Sequence, residues 1–332
     1  MRGSCDRVLV LGDINADIAI RVESLPRLGG DTAGHGLTVG SGGGGLNAAV
    51  TFRALGSQAR LLGRVGRDRF AAVALRTARD RGVDCNAVQT DDLVNTGVCT
   101  VLVTPEGQRS FVSFRGANVR FDPRCVREHV SSKPALCYVS AYAMLEGPQG
   151  EAARQLVRDA SSNGIPVALD LCVPAAEQCR DEILRMMPDL TLFSTNEDEL
   201  RVLFEGLSEQ EAVQKLLGAG VRYVAIKRGE RGAAVFAGSD RADVSVPDVR
   251  VADTTACGDA FAAACAFALV RGGSIQDAAR LATAVGTQAA LRAGAADSIP
   301  THAMLSNRLE APLLQLLVPR RTADDKKTSC PK

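Results

Sequence analysis

Short apolar runs alternate with helix-length amphipathic stretches along most of this chain, and that alternation narrows its fold more than any other feature. Val8–Leu11 reads as a first strand, and Gly45–Leu55 as a helix with Leu46, Val50 and Ala54 on one face and Gly56 as its stop. Ala135–Ser140 follows as a strand, then a helix from Gln149 to Ser162 closed by Asn163-Gly164, and strand Ile165–Asp170. A helix near Ala175–Met187 ending at Pro188, strand Leu190–Thr195, a helix pair and strand Val221–Lys227 continue the series. This βαβα order predicts an α/β fold: a mostly parallel sheet with helices on both faces and right-handed crossovers. Ligands of such sheets sit beyond the carboxyl ends of the strands.

Two segments break the pattern. Asp17–Val22 alternates Ile18, Ile20 and Val22 with other residues, and Thr96–Thr104 and Ser110–Arg115 flank a turn at Pro105–Gln108. They predict either a small β layer that covers a cleft or an ordinary antiparallel edge of the main sheet. Residues 1–318 are expected to form one domain, with a lid from about 15–40 and 95–117; the polar stretch 319–332 has no periodicity and is expected to be disordered.

The chain has 332 residues, 46% hydrophobic and 23% charged, with a formal net charge of +1. That balance excludes a general basic field for nucleic acid, so an anionic ligand needs a local site. None of the ten cysteines forms a CxxC pair, and no Cys/His cluster has zinc-ligand spacing, so buried thiols in a reducing compartment are expected. The run Val8–Leu11 is too short for a signal peptide, and no stretch approaches the roughly 18 apolar residues of a membrane span. A cytoplasmic protein without membrane or nucleic-acid partners is expected.

Five motifs carry chemistry. Asp253-Thr-Thr-Ala-Cys-Gly-Asp259 follows a strand-like stretch, Ala242–Val251, and opens an Ala-rich helix that runs to Arg271. Small residues at Ala256, Cys257 and Gly258 leave successive amides exposed at a helix N-terminus, an anion site aided by the helix dipole. Asp259 beside it is either a first-turn capping residue or a base that takes a proton from an attacking hydroxyl. Gly40-Ser-Gly-Gly-Gly-Gly-Leu-Asn47 allows close ligand approach, or is a hinge; it is no dinucleotide fingerprint, because Gly12-Asp13 follows the first strand instead, and no Walker A sequence occurs. Asp17 in Asn15-Ala-Asp17 is a turn residue or an acceptor for two sugar hydroxyls. Asn196-Glu-Asp-Glu199 is an acidic first helical turn or a site for hydrated magnesium. Lys227-Arg-Gly-Glu-Arg-Gly232 is a hairpin or a loop over nucleotide phosphates and ribose.

Taken in order, these residues resemble the ribokinase-like (PfkB-type) carbohydrate kinases over roughly residues 8–310. The resemblance rests on Gly43-Gly-Gly-Leu-Asn47 with Ala49, Gly56 and Gly66, on Asp253–Asp259, and on Gly116-Ala-Asn118. It implies a ribokinase-like fold: a central, mostly parallel sheet flanked by helices on both faces, with a small β-sheet lid. It also implies an ATP-dependent sugar kinase with Asp259 as base and the amides of Ala256, Cys257 and Gly258 as anion hole. Asn15, Asp17, Gly43, Gly44, Gly45 and Asn47 would line the sugar site, with Glu146 or else Tyr142 beside them. Asn196, Lys227, Arg228, Gly229, Gly232, Gly258 and Thr283 would contact ATP, with Glu199 reaching magnesium through water. A monovalent cation, usually potassium, would lie at Asp253, Thr255, Ala289, Arg292, Gly294 and Ser298. The lid would mediate a homodimer.

The sequence departs from the family at Cys257, where Gly, Ala or Ser is usual, and at Gly44, where ribokinases proper carry Lys. Asp170 lacks the Asn and Arg that follow it in ketodeoxygluconate kinases. Ribose or a ketohexose such as fructose is the expected substrate. A nucleoside kinase of the same fold and a non-catalytic sugar- or nucleotide-binding regulator stand as alternatives.

Overall fold

A computed structural model describes residues 6–105 and 108–318. The stretch 319–332 and two residues of the expected Pro105–Gln108 turn lie outside the described residues. In chain order the strands are β1 (Arg7–Leu11), β2 (Asn15–Val22), β3 (Gly34–Gly42), β4 (Gln58–Gly66), β5 (Val88–Asp91), β6 (Gly97–Val103) and β7 (Arg109–Phe114). They continue as β8 (Leu136–Ser140), β9 (Val167–Asp170), β10 (Leu192–Asn196), β11 (Tyr223–Lys227), β12 (Ala233–Ala237) and β13 (Asp240–Val244).

Nine strands form the main sheet in the order β13-β12-β11-β10-β9-β8-β1-β4-β5. All neighbours are parallel except β11–β12 and β12–β13, so the expected α/β architecture is present. Every residue of β8 and β9 is buried, as strands covered on both faces must be, which is why they read as unbroken apolar runs. One face carries the helices Gly44–Ala54, Arg69–Asp80, Cys257–Val270 and Ile275–Ala290 over a core built on Val10, Leu61 and Tyr138. The other carries Gly147–Ser162, Glu197–Leu203 and Glu209–Gly218 over Leu9, Val139 and Phe193. The helix Cys257–Val270 is buried from Ala260 through Leu269, so its alanine-rich sequence has no polar stripe to show.

The segments that broke the alternation form a separate four-stranded sheet, β3-β2-β6-β7, rather than an edge of the main one. Thr104 N–H donates to the Gln108 carbonyl at 3.0 Å and closes the β6–β7 hairpin. Cross-strand register puts Asp17, Cys99 and Ser113 in one row and Ala19, Val101 and Phe111 in the next row of the same face. The opposite face carries Ile18, Val39, Thr100 and Val112.

Two expectations need correction. The strand-like stretch Ala242–Val251 pairs only through Val244, and the chain then runs irregularly past Pro247, which has no amide for a ladder. The helix expected over Ala175–Met187 is two short helices, Val173–Gln178 and Arg180–Met186, broken at Cys179. All eight cysteines among the described residues are free thiols, but Cys137, Cys172 and Cys265 alone are fully buried. Among the described residues, no helix is long and apolar enough to cross a membrane.

Candidate active site

The strand ends of the main sheet bring the motifs together. β1 delivers Gly12–Asn15, β9 ends on Asp170, β10 on Asn196 and β11 on Lys227, all at carboxyl ends. The glycine loop then enters its helix: Gly43 has φ 95°, and Gly45 packs so closely on Gly12 that a Cβ there would lie 2.6 Å from the Gly12 Cα. A side chain at Gly44 would meet Ser140 Oγ at 2.5 Å and Asp259 Oδ1 at 3.3 Å. Ser140 thus occupies the space beside the position where ribokinases carry Lys.

Across this loop stands the start of the helix Cys257–Val270. Ala256 takes the left-handed conformation (φ 63°), unusual for a residue with a Cβ, and turns the chain into the helix. First-turn amides have no intrahelical acceptor. The Cys257 amide donates to the Thr254 carbonyl at 3.3 Å, so Ala256 and Gly258 are the expected anion-hole amides left by that turn. Asn47 donates its side-chain amide to Asp259 Oδ2 at 2.8 Å, joining the two motifs. Burial, then the negative charge of Asp170, push the Asp259 carboxyl up to about 7; the Asn47 hydrogen bond and Lys227 pull the other way.

Of the residues expected on the sugar side, Asp17 interacts with Asp259. Asp17 is pushed up to about 7 by burial and by the charges of Asp259 and Asp253, and its Oδ1 is buried with no partner. Asn118 fixes Asn15: its amide donates to Asn15 Oδ1 at 2.9 Å and to the Arg115 carbonyl at 2.9 Å, and its oxygen accepts from Ile14 N–H at 2.8 Å. Glu146 is at the N-terminus of the helix Gly147–Ser162, with its side chain 62% exposed and paired with Arg115 at 3.4 Å. Tyr142 is 41% exposed, and burial, then the charges of Cys172, Asp259, Glu199 and Asp13, raise its hydroxyl pKa.

Among the residues expected on the nucleotide side, Asn196 and Glu199 form a capping box: Asn196 Oδ1 accepts from Glu199 N–H and Glu199 Oε2 from Asn196 N–H, each at 2.8 Å. Glu197, Asp198 and Glu199 form the acidic first turn of the helix, and Glu199 is buried with its pKa raised by burial. Arg228 is drawn away to Glu209 and Asp243, while Gly229 and Gly232 shape the β11–β12 hairpin with positive φ. Thr283, on the helix Ile275–Ala290, keeps a buried hydroxyl without a partner.

The expected cation residues lie on two segments tied together. Asp253 Oδ2 accepts from Gly294 N–H at 3.1 Å, and Ala252 N–H donates to the Ala290 carbonyl at 2.8 Å. The Ala289 carbonyl accepts from Arg292 N–H at 3.3 Å, and the Ser298 carbonyl is taken by the Arg292 guanidinium at 2.6 Å. Sequence reasoning missed Arg109 on β7, which donates to Asp253 Oδ1 at 2.8 Å and Thr255 Oγ1 at 2.9 Å. It also missed Arg115, whose guanidinium grips both oxygens of buried Asp13 at 3.0 Å. No local pattern marks either arginine, because both partners are distant in sequence.

A family model described as pfkB family carbohydrate kinase matches residues 6–302. The chain is 28% identical over 302 residues to a ribokinase of Arabidopsis thaliana, covering 88% of this chain and 78% of that one. It is 25% identical over 286 residues to fructokinase-1 of Oryza sativa subsp. japonica, covering 81% and 88%. The solved structure of an Arabidopsis thaliana ribokinase with ribose and ATP superposes with a TM-score of 0.79 at 26% identity, covering 94% of this chain and 99% of that one. The chain belongs to the pfkB family of carbohydrate kinases, phosphotransferases with an alcohol group as acceptor.

Proposed function

We propose that this chain transfers the γ-phosphoryl group of ATP to a hydroxyl of a small sugar, ribose or a ketohexose such as fructose, with Asp259 as general base. The observation that carries the reading is the Asn47–Asp259 hydrogen bond, which sets a buried carboxyl raised to about 7 between the amide turn and Asp17. A base with that pKa is matched to neutral pH. As the sugar oxygen bonds to the γ-phosphorus, its proton passes to Asp259 and the bond to the β-phosphate oxygen breaks, releasing ADP. The amides of Ala256 and Gly258 receive the phosphoryl oxygens. Asn15, Asp17 and Asn47 hold the sugar; Gly43, Gly44 and Gly45 let it approach.

Asp170, Glu199 and Asp259 are all electrostatic neighbours of one ammonium, Lys227, so this cluster carries more acid than base and suits a triphosphate neutralised by a divalent cation. Magnesium supplies that charge when bound, with Glu199 reaching it through water. Oxygens of Asp253, Thr255 and Gly294 are the candidates to hold a monovalent cation such as potassium, whereas the Ala289 and Ser298 carbonyls both already accept hydrogen bonds from Arg292. The small sheet acts as a lid that excludes water. Its outer face exposes Leu37 (69%), Val112 (67%) and Phe114 (54%), which supports a homodimer through the lid.

Phe111, 55% exposed on the face that carries Asp17, offers a stacking surface, so a nucleoside acceptor is the second reading. ADP release measured against pentoses, ketohexoses, ketodeoxygluconate and nucleosides, with and without potassium, decides between them. A sugar-dependent burst supports the first reading. Release with nucleosides alone supports the second, and silence across the panel with ATP still bound overturns both.

A further inference from the structure

β9 and β11 flank β10 in register, Asp170 opposite Ser194 and Lys227 opposite Asn196, so their last residues meet over the end of β10. Lys227 Nζ donates to Asp170 Oδ1 at 2.7 Å, with the two side chains 14% and 6% exposed. Nζ also lies 3.6 Å from the point where a Cβ on Gly258 would stand, and Cδ at 3.9 Å, so the lysine stem runs along the glycine of the amide turn. This position sets the ammonium beside the amide turn. An ammonium has three N–H donors. Among the described residues Asp170 is its one hydrogen-bond acceptor, which leaves its other N–H donors uncommitted.

We infer that Lys227 is a catalytic cation that binds the transferring phosphoryl group beside Gly258, and that Asp170 is the positioning residue that holds it there. The inference rests on the kinase reading of the amide turn and Asp259. Asp170 has a second consequence for the base. Asp259 and Glu199 are both electrostatic neighbours of the ammonium, and an unanchored Lys227 is free to pair with Asp259 and remove its basicity. A hydrogen-bonded Asp170 prevents that collapse while leaving the ammonium charged.

The test is a double-mutant cycle on the intact enzyme, reading kcat, the KM values for sugar and ATP, and the thermal midpoint for Lys227→Met, Asp170→Asn and the pair. Lys227→Met is expected to lower kcat by about 10²-fold, the usual worth of a transition-state donor, with the sugar KM within about threefold of the parent. Asp170→Asn, isosteric with the parent, is expected to lower kcat by about tenfold or more. The double variant is expected to turn over no more slowly than Lys227→Met, because Asp170 acts only through the lysine. Should Lys227→Met fail to fold, Lys227→Gln carries the same expectation. A kcat within about threefold of the parent in the lysine variant overturns the inference, as does a double variant slowed by the product of the single effects. Asp259→Asn separates the two layers: normal turnover there removes the kinase reading of the site, whereas an inactive Asp259→Asn beside an active Lys227→Met removes only the role of Lys227.

Discussion

Arg109, on the small sheet, pairs with Asp253, at the entry to the amide turn, with 2.8 Å between Nη1 and Oδ1. The two side chains are 22% and 20% exposed, so the pair is shielded from solvent and joins the small sheet directly to the amide turn proposed to receive the phosphoryl group. Arg109→Ala is expected to lower kcat/KM for the sugar roughly 10–100-fold, matching about 1.5–3 kcal/mol for a hydrogen bond to a charged group. It should also raise ATP hydrolysis without sugar relative to transfer, because an untied lid admits water. Comparing ADP release with and without sugar checks this; an unchanged ratio and an unchanged kcat/KM contradict it.

The pH dependence follows from two raised carboxyls. Asp17 and Asp259 both move from an ordinary 3.8 to about 7 on folding. A carboxyl whose folded pKa is raised contributes stability that is fully present below about 3.8 and is lost as pH rises through about 7. The ligand-free protein is therefore expected to lose thermal stability between pH 5 and 8, and Asp17→Asn to reduce that loss. Turnover should change in the opposite sense, rising as Asp259 deprotonates near pH 7. Thermal midpoints and kcat/KM across pH 5–9 report both; a midpoint difference between pH 5 and 8 that Asp17→Asn leaves untouched contradicts the assignment.

Asn118 predicts a coupled loss of stability and sugar affinity. Its fully buried amide is bonded to Ile14, Asn15 and Arg115, and Asn118→Ala would strand the Ile14 N–H without an acceptor. Destabilisation of about 2–3 kcal/mol is expected in denaturant titration, with a raised sugar KM because Asn15 loses its anchor. A variant of parental stability and KM would show that water replaces the amide.

The outer lid face predicts assembly. Leu37 and Val112 lie on one side of the sheet with Ile18, Ile20 and Val39. Leu37→Asp with Val112→Asp is expected to convert a dimer to a monomer in sedimentation velocity. A parent that sediments as a monomer at micromolar concentration contradicts the proposed interface.

Much of this was legible in the sequence, and the limits have physical causes. β1, β8, β9, β10 and β11 are buried strands whose apolar runs carry their own signal, and glycines marked the loop before Asn47. The stretch past Val244 misled because its β-like residues outlast the ladder, which stops before Pro247. Asn196-Glu-Asp-Glu199 reads as an acidic first helical turn or a magnesium site; the capping box between Asn196 and Glu199 is what the fold displays. Nothing local marks the left-handed turn at Ala256, since alanine seldom adopts it. The pairs Arg109–Asp253, Arg115–Asp13 and Lys227–Asp170 join strands and loops that meet only after folding, so composition and spacing are silent about them.

The most direct test of the account is single-turnover phosphoryl transfer by Asp259→Asn, with ATP binding measured on the same protein. The account predicts ATP binding close to the parent and transfer slowed roughly 10²–10⁴-fold, the usual contribution of a general base. Transfer at the parental rate would contradict it.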